Sequence, residues 1–160
     1  MNGIFASIVG LLQQELDLHQ ELLELARQEQ RDLVSGSVQD LAKVVQEQEE
    51  RIYKIRSLES ARLELIRLLA QKHGLKPEEL TLSRLASLAD EETADRFSHL
   101  QRAMVQVLQE LSVISKANAL LAQQALGYTR TLLEILSQEE GAYDPKGKRN
   151  RRSILVDREV

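Results

Sequence analysis

Cysteine and tryptophan are both absent from this 160-residue chain. Without cysteine the protein has no disulfides, no thiol nucleophile and no cysteine ligands for a metal, a usage compatible with a cytoplasmic protein. Aromatic residues make up 3% of the sequence, so the core must be aliphatic, which favours helix-on-helix packing. The two prolines, Pro77 and Pro145, leave long stretches in which nothing interrupts a helix. These shortages predict a cytoplasmic, helical protein.

Long hydrophobic runs are also missing. No stretch has the ~18–20 consecutive apolar residues of a membrane-spanning helix. The apolar residues 1–12 lack the basic segment of a signal peptide, and their spacing continues into the residues that follow. We therefore expect residues 1–12 to begin the first helix, and we expect no membrane insertion.

The net charge of −4 is unevenly distributed along the chain. Residues 145–160 contain six basic and two acidic side chains, a net charge of +4, so the remainder carries −8. The basic run Lys146 to Arg152 could act as a nucleic-acid arm, but about four or five phosphate contacts give only weak, salt-sensitive binding. The acidic remainder repels nucleic acid as well. We predict no nucleic-acid partner, and the role of this basic run is left open.

The longest regular pattern runs from Phe97 to Leu136 and repeats every seven residues. Two apolar rows at a and d positions predict one long helix with an apolar seam that must face a partner helix. Gly127 is the one glycine in this stretch and costs the helix only about 1 kcal/mol. The first row is Phe97, Met104, Leu111, Asn118, Ala125 and Leu132, and the second is Leu100, Val107, Ile114, Leu121, Tyr128 and Ile135.

Two more long helices precede this one. Apolar spacing predicts the first over residues 5–34 and the second over residues 38–72. Gly36 is expected to end the first helix and Ser37 to cap the second. Residues 81–88 are enough for a short helix that connects the second long helix to the third.

The predicted fold class is therefore all-α: an elongated antiparallel helical bundle or coiled coil of three long helices, with a short connecting helix and a flexible C-terminal tail. Residues 1–138 are predicted to form the helical domain. Residues 139–160 contain two glycines, a proline and the whole basic run, so we predict that they form a flexible basic tail.

The residue types that catalyse reactions or bind metals are scattered. The three histidines lie far apart in the sequence, and Glu15 and His19 have the wrong spacing for a di-iron bundle. No glycine-rich phosphate loop or nucleophile elbow is present. Glu59 and Arg62 lie three residues apart and are interpreted as a structural ion pair. We predict that the protein is not an enzyme and has no metal, cofactor or catalytic residue.

Three local motifs occur in order along the chain: Leu58-Glu59-Ser60-Ala61-Arg62, Asn118-Ala119-Leu120-Leu121 and Tyr143-Asp144-Pro145-Lys146-Gly147. With these motifs and this order of helices, the chain resembles the FlgN family of flagellar export chaperones over essentially its whole length. The resemblance implies that the protein binds hook-associated proteins, the subunits of the hook–filament junction. It also implies that the protein prevents their premature assembly in the cytosol and delivers them to the flagellar type III export gate.

The resemblance also suggests where the cargo binds. We expect the face with Ile114, Asn118, Leu121 and Ala125 to bind a terminal helix of the cargo by helix-in-groove recognition. Asn118 has two open interpretations, because an asparagine in a heptad seam either fixes helix register or hydrogen-bonds the backbone of a bound helix. Leu120 and Leu121 are expected to be core residues in the protein without cargo.

Tyr143 lies outside any apolar periodicity, in a segment that also contains Gly141 and Pro145. An aromatic residue in such a segment favours a role in binding a partner. We expect Tyr143, with Asp144 and Gly147, to dock the loaded chaperone on the cytosolic domain of the export gate.

A second class of function fits the same seam. A coiled-coil structural or adaptor protein would bury the two apolar rows by dimerising, so a homo-oligomer is the alternative interpretation. Concentration-dependent sedimentation distinguishes the two, because a protein that only dimerises needs no cargo.

Overall fold

The computed structural model describes residues 2–142 of the chain, and all regular secondary structure in that range is helical. The all-α prediction is therefore confirmed. None of the helices in that range is long and apolar enough to cross a membrane. Helix α1 spans Asn2–Ser35, α2 spans Val38–His73, α3 spans Leu82–Leu88 and α4 spans Glu91–Ala142, and a single 3₁₀ turn at Pro77–Glu79 precedes α3.

The predicted flexible tail lies mostly outside the described residues. Helix α4 continues to Ala142, past the predicted domain boundary at residue 138, and residues 143–160 are not among those described. The domain boundary, the flexibility of the tail and the elongated shape stay predictions.

The turn between α1 and α2 is built on Gly36. Its φ of +75° lies in the left-handed region that favours glycine, as the sequence predicts. The backbone N–H groups of Gly36 and Ser37 both donate to the carbonyl oxygen of Asp32, at 2.9 and 3.2 Å. The expectation that the Ser37 side chain caps α2 is wrong, since its hydroxyl donates to the Asp40 carboxylate at 2.7 Å. A hydrogen bond to a charged acceptor is strong and holds the serine side chain in this orientation.

The start of α4 is defined by Asp90. The Asp90 Oδ1 atom accepts a hydrogen bond from the backbone N–H of Thr93 at 2.9 Å. This bond stabilises the ionised carboxylate and lowers the pKa of Asp90. Glu91 and Glu92 follow in the first turn, where negative charge interacts favourably with the helix dipole.

Contacts divide the chain into two units, residues 1–118 and residues 119–160. The first unit has a largely aliphatic core, in which Phe5 and Phe97 pack edge to face with ring centroids 6.2 Å apart. All four α-helices contribute to that core. Its buried aliphatic residues include Ile8, Val9, Leu12, Leu16, Ile66, Leu69, Leu85, Leu100 and Val107.

Residue pairs across the first unit define the directions of its helices. They run in opposite order along α1 and α2 and in the same order along α1 and α4. Within this unit, therefore, α1 and α2 form a hairpin and the first part of α4 runs beside α1. The pairs are Glu15–Arg62 and Glu29–Gln48 between α1 and α2, and Phe5–Phe97 and Ala26–Asn118 between α1 and α4.

Candidate functional site

A polar junction joins the three long helices at Glu29 of α1. The Gln48 Nε2 atom of α2 donates to Glu29 Oε2 at 2.9 Å, and the Asn118 Nδ2 atom of α4 donates to the same oxygen at 3.1 Å. Asn118 Nδ2 also donates to the carbonyl oxygen of Ala26 at 2.8 Å. One carboxylate thus links α1, α2 and α4, and a shift of any of these helices by one residue would break its hydrogen bonds.

Asn118 is 2% exposed and uses its amide group within the protein. These are the hydrogen bonds expected of a residue that fixes helix register. Its Oδ1 atom is buried and has no hydrogen-bond partner among the described residues. A buried acceptor without a donor costs about 1–3 kcal/mol, so Asn118 contributes more to specificity of packing than to stability.

A second polar pair crosses the core between α1 and α2. The Arg62 Nε atom donates to Glu15 Oε1 at 2.8 Å, and the two side chains are only 18% and 6% exposed. Glu59, the partner expected from sequence, lies 4.0 Å from the Arg62 guanidinium and is itself exposed. The main partner of Arg62 is therefore Glu15, which the interpretation from sequence missed.

A sequence signal for both polar sites exists in the heptad rows. Each row alternates apolar and polar residues at seven-residue intervals, and the polar members of one row pair with those of the other. A polar residue on an otherwise apolar row predicts a partner on a facing row, although it does not identify which one. The rows are Ile8, Glu15, Leu22 and Glu29 in α1, and Gln48, Ile55, Arg62 and Leu69 in α2.

His19, which was considered as a metal ligand, makes a local contact within its own helix. The His19 ring donates from Nδ1 to the backbone carbonyl oxygen of Glu15, which lies 2.7 Å away and can only accept. Within residues 2–142, no three side chains of the metal-binding types converge.

The second unit contains an apolar stripe on α4, which we define as Leu121, Ala125, Tyr128, Leu132, Ile135 and Leu136. At 100° per residue these positions fall within roughly 100° of the helix circumference. All of them are exposed except Leu121, which is half-buried. Tyr128 is 68% exposed. The stripe is an apolar surface suited to binding another helix.

The predicted cargo-binding residues differ in their accessibility. In the first unit Ile114 is half-buried and Asn118 is buried, whereas in the second unit Leu121 is half-buried and Ala125 is exposed. The expectation that Leu120 is a core residue is wrong, because it is 56% exposed. Leu120 lies one residue, about 100°, from the row of Leu121, so it points away from the stripe.

The predicted residues for docking on the export gate lie outside the described part of the chain. Tyr143, Asp144 and Gly147 all follow Ala142, the last residue described. The structure neither places them nor tests the prediction.

Comparison with known proteins identifies a family. The FlgN family model, described as FlgN protein, matches residues 1–151. No curated protein and no solved structure matches the chain. FlgN proteins are chaperones and are not known as enzymes, in agreement with a site made of apolar surface and structural polar contacts. Because the match covers much more than half of the sequence, the chain belongs to the FlgN family of flagellar export chaperones.

Proposed function

We propose that this protein is a cytoplasmic chaperone that binds the terminal helical regions of hook-associated proteins, prevents their premature assembly and delivers them to the export gate. Membership of the FlgN family supports hook-associated proteins in general as the class of partner. The observation that carries the proposal is the exposed apolar stripe of the second unit. An exposed stripe of this kind suits a chaperone, because it can cover a sticky assembly surface of another protein.

The dimensions of the stripe match a helical cargo. From Leu121 to Leu136 it extends for roughly 23 Å, or about four helical turns. A cargo helix that repeats apolar residues at i, i+3, i+4 and i+7 over about four turns presents a stripe of similar width and length. Thr129 and Thr131 lie beside the stripe, and their hydroxyls are occupied because they donate to the carbonyl oxygens of Ala125 and Gly127 at 3.0 Å. The surface thus offers mainly apolar contact.

Cargo binding is tested by changing the stripe without changing the core. The double substitution Leu132→Ser and Ile135→Ser removes two exposed apolar side chains from the stripe. We expect it to weaken binding of the C-terminal region of a hook-associated protein by roughly tenfold or more in calorimetry. The matched control combines Leu126→Ser and Leu133→Ser, which removes two exposed leucines that lie off the stripe. Equal losses in both variants, or no loss in either, would contradict the proposal.

The four residues predicted from sequence remain part of the proposed cargo surface. We propose that Ile114, Asn118, Leu121 and Ala125 contribute to it, with Asn118 exchanging its internal hydrogen bonds for bonds to the cargo backbone. Asn118→Leu would then weaken cargo binding while leaving the fold intact. Unchanged affinity would remove Asn118 from the cargo surface and leave it as a residue that fixes register.

Delivery is proposed to depend on Tyr143, with Asp144 and Gly147. A tyrosine contributes a large ring and one hydroxyl while few torsions become ordered, so it is an efficient anchor for a short segment. Tyr143→Ala should preserve cargo affinity but weaken binding to the cytosolic domain of the export gate and reduce motility. Tyr128→Ala is the matched control, and it should weaken cargo binding and preserve gate binding. If Tyr143→Ala weakens cargo binding instead, the two functions are not separable in this way.

The heptad spacing of the exposed stripe also favours the alternative function, a coiled-coil adaptor that dimerises. Ala125, Tyr128, Leu132 and Ile135 occupy a and d positions, the positions that pair in a coiled coil. Analytical ultracentrifugation over a hundredfold range of concentration distinguishes the two. A tight dimer that does not dissociate when a hook-associated protein is added supports the adaptor.

A further inference from the structure

An open groove lies between α1 and α2 in the first unit, on residues that the proposed cargo surface does not use. Its volume is about 470 Å³. A neighbouring groove of about 410 Å³, lined by residues of α2 alone, shares Tyr53 and Lys54 with it, and we call the combined surface the α1–α2 groove. From Gln46 to Leu58 it extends for roughly 18 Å, the length of about three helical turns. The side chains that matter for recognition are Asp17, Leu18, Glu49, Tyr53 and Leu58.

Tyr53 is the central residue of the α1–α2 groove. It is 76% exposed, whereas Phe5 and Phe97 are fully buried in the core. Leu18 of α1 and Leu58 of α2 line the same groove as Tyr53, and both are half-buried. An exposed tyrosine in a groove with two partly covered leucines is a typical anchor position for a protein partner, since tyrosine combines a large apolar ring with a polar end.

The α1–α2 groove carries more negative than positive charge. Glu21 and Glu50 share Arg51, whose guanidinium lies 2.7 and 3.4 Å from their carboxylates. Asp17 and Glu49 take part in no ion pair within residues 2–142, so their charge is available to a partner. The charged side chains of the groove and its edge are the carboxylates Asp17, Glu21, Glu49 and Glu50 and the cations Arg51 and Lys54.

We propose that the α1–α2 groove binds a cationic amphipathic helix of a partner protein. The apolar face of that helix packs on Leu18, Tyr53 and Leu58, and its flanking lysine or arginine side chains pair with Asp17 and Glu49. The excess of carboxylates selects a basic partner and disfavours an anionic membrane surface. This site lies on α1 and α2, so it gives the protein a second binding surface besides the stripe of α4.

The test uses a designed 18-residue helical peptide with leucines at i, i+3, i+4 and i+7 and lysine or arginine at the flanking positions. Its fluorescence anisotropy is measured with the full chain, beside a scrambled peptide of the same composition. We expect the scrambled peptide to bind at least tenfold more weakly, because its apolar residues no longer form one face. Tyr53→Ala should weaken binding of the amphipathic peptide roughly tenfold, and Leu126→Ala, which removes an exposed side chain outside both the groove and the stripe, should leave it unchanged.

Charge recognition is tested with Asp17→Lys and Glu49→Lys combined. This variant should bind the peptide more weakly and lose most of the salt dependence of binding, because the two carboxylates supply the attraction that salt screens. The matched control combines Glu134→Lys and Glu139→Lys, which changes the net charge equally at exposed positions of α4. Equal weakening in both variants means general electrostatic attraction and overturns the proposal.

The remaining outcomes also decide the question. Weaker peptide binding in Tyr128→Ala but not in Tyr53→Ala places the peptide on the α4 stripe and overturns the proposal. So does self-association of the chain that Tyr53→Ala abolishes, because the occupant would then be a second copy. Tyr53→Ala should leave the affinity for a hook-associated protein unchanged, and a matching loss there would show that the groove belongs to the cargo site.

Discussion

The pair between Arg62 and Glu15 allows a quantitative test of how the helices of the first unit are held in register. Arg62→Met removes the cation but keeps a side chain of similar length and apolar stem. It leaves the Glu15 carboxylate, 6% exposed, without its partner 2.8 Å away. Removing one partner of a buried pair costs about 3–5 kcal/mol. Because Arg62 is 18% exposed, we expect the lower end, about 3 kcal/mol, which for a chain of this size lowers the melting temperature by roughly 6–12 °C.

Urea unfolding followed by circular dichroism measures this cost. The matched control is Arg67→Met, since Arg67 pairs with Glu64 on the same helix with both side chains largely exposed. Exposed pairs contribute little, so the control should lose less than about 0.5 kcal/mol. If Arg62→Met is no more destabilising than Arg67→Met, the buried pair does not hold α1 and α2 together as argued.

Replacing both partners tests whether the buried ion pair makes the protein more stable than two apolar side chains would. The double variant Glu15→Leu with Arg62→Met has no unpaired charge, and apolar replacement of a buried pair is often neutral or stabilising. We expect its stability to lie within about 1 kcal/mol of the wild type. A double variant as unstable as the two single changes added together would refute the coupling between these side chains.

Three further predictions concern single residues. Asn118→Leu should be within about 1 kcal/mol of the wild type or more stable, because removing the buried Oδ1 atom that has no donor and adding an apolar side chain to the seam offset the two lost hydrogen bonds. Asn118→Ala should cost about 2 kcal/mol in urea unfolding, because the same hydrogen bonds are lost and no packing replaces them. Gly74→Ala should cost about 1 kcal/mol, because its φ of +64° strains any side chain even though the surroundings have room. The lowered pKa of Asp90 means that its carboxylate stabilises the folded protein above the unfolded pKa and that this contribution disappears as the pH falls below about 4. Asp90→Asn should therefore show a smaller loss of stability than the wild type when unfolding is measured from pH 6 to pH 3.

Features of the fold that depend on neighbours in sequence were predictable. The spacing of apolar residues located α1, α2 and α4, and Gly36 marked the turn between the first two, because helix periodicity and a left-handed backbone are properties of a short segment. The local expectation for Ser37 failed because two different hydrogen bonds compete for one side chain, and Ser37 donates to the Asp40 carboxylate instead of accepting from a backbone N–H. Propensity does not rank such competitors.

Interhelical partners and surface exposure were decided by the tertiary structure. The sequence places Glu59 three residues from Arg62, on the same face of one helix. The packing of α1 on α2 nevertheless brings the buried Glu15 closer to the Arg62 guanidinium. The heptad pattern continues unchanged through Tyr128 and Ile135, yet those side chains are exposed while Phe97 is buried. The spacing of apolar residues predicts which residues share a face of a helix. Whether another helix covers that face depends on how the helices pack in space.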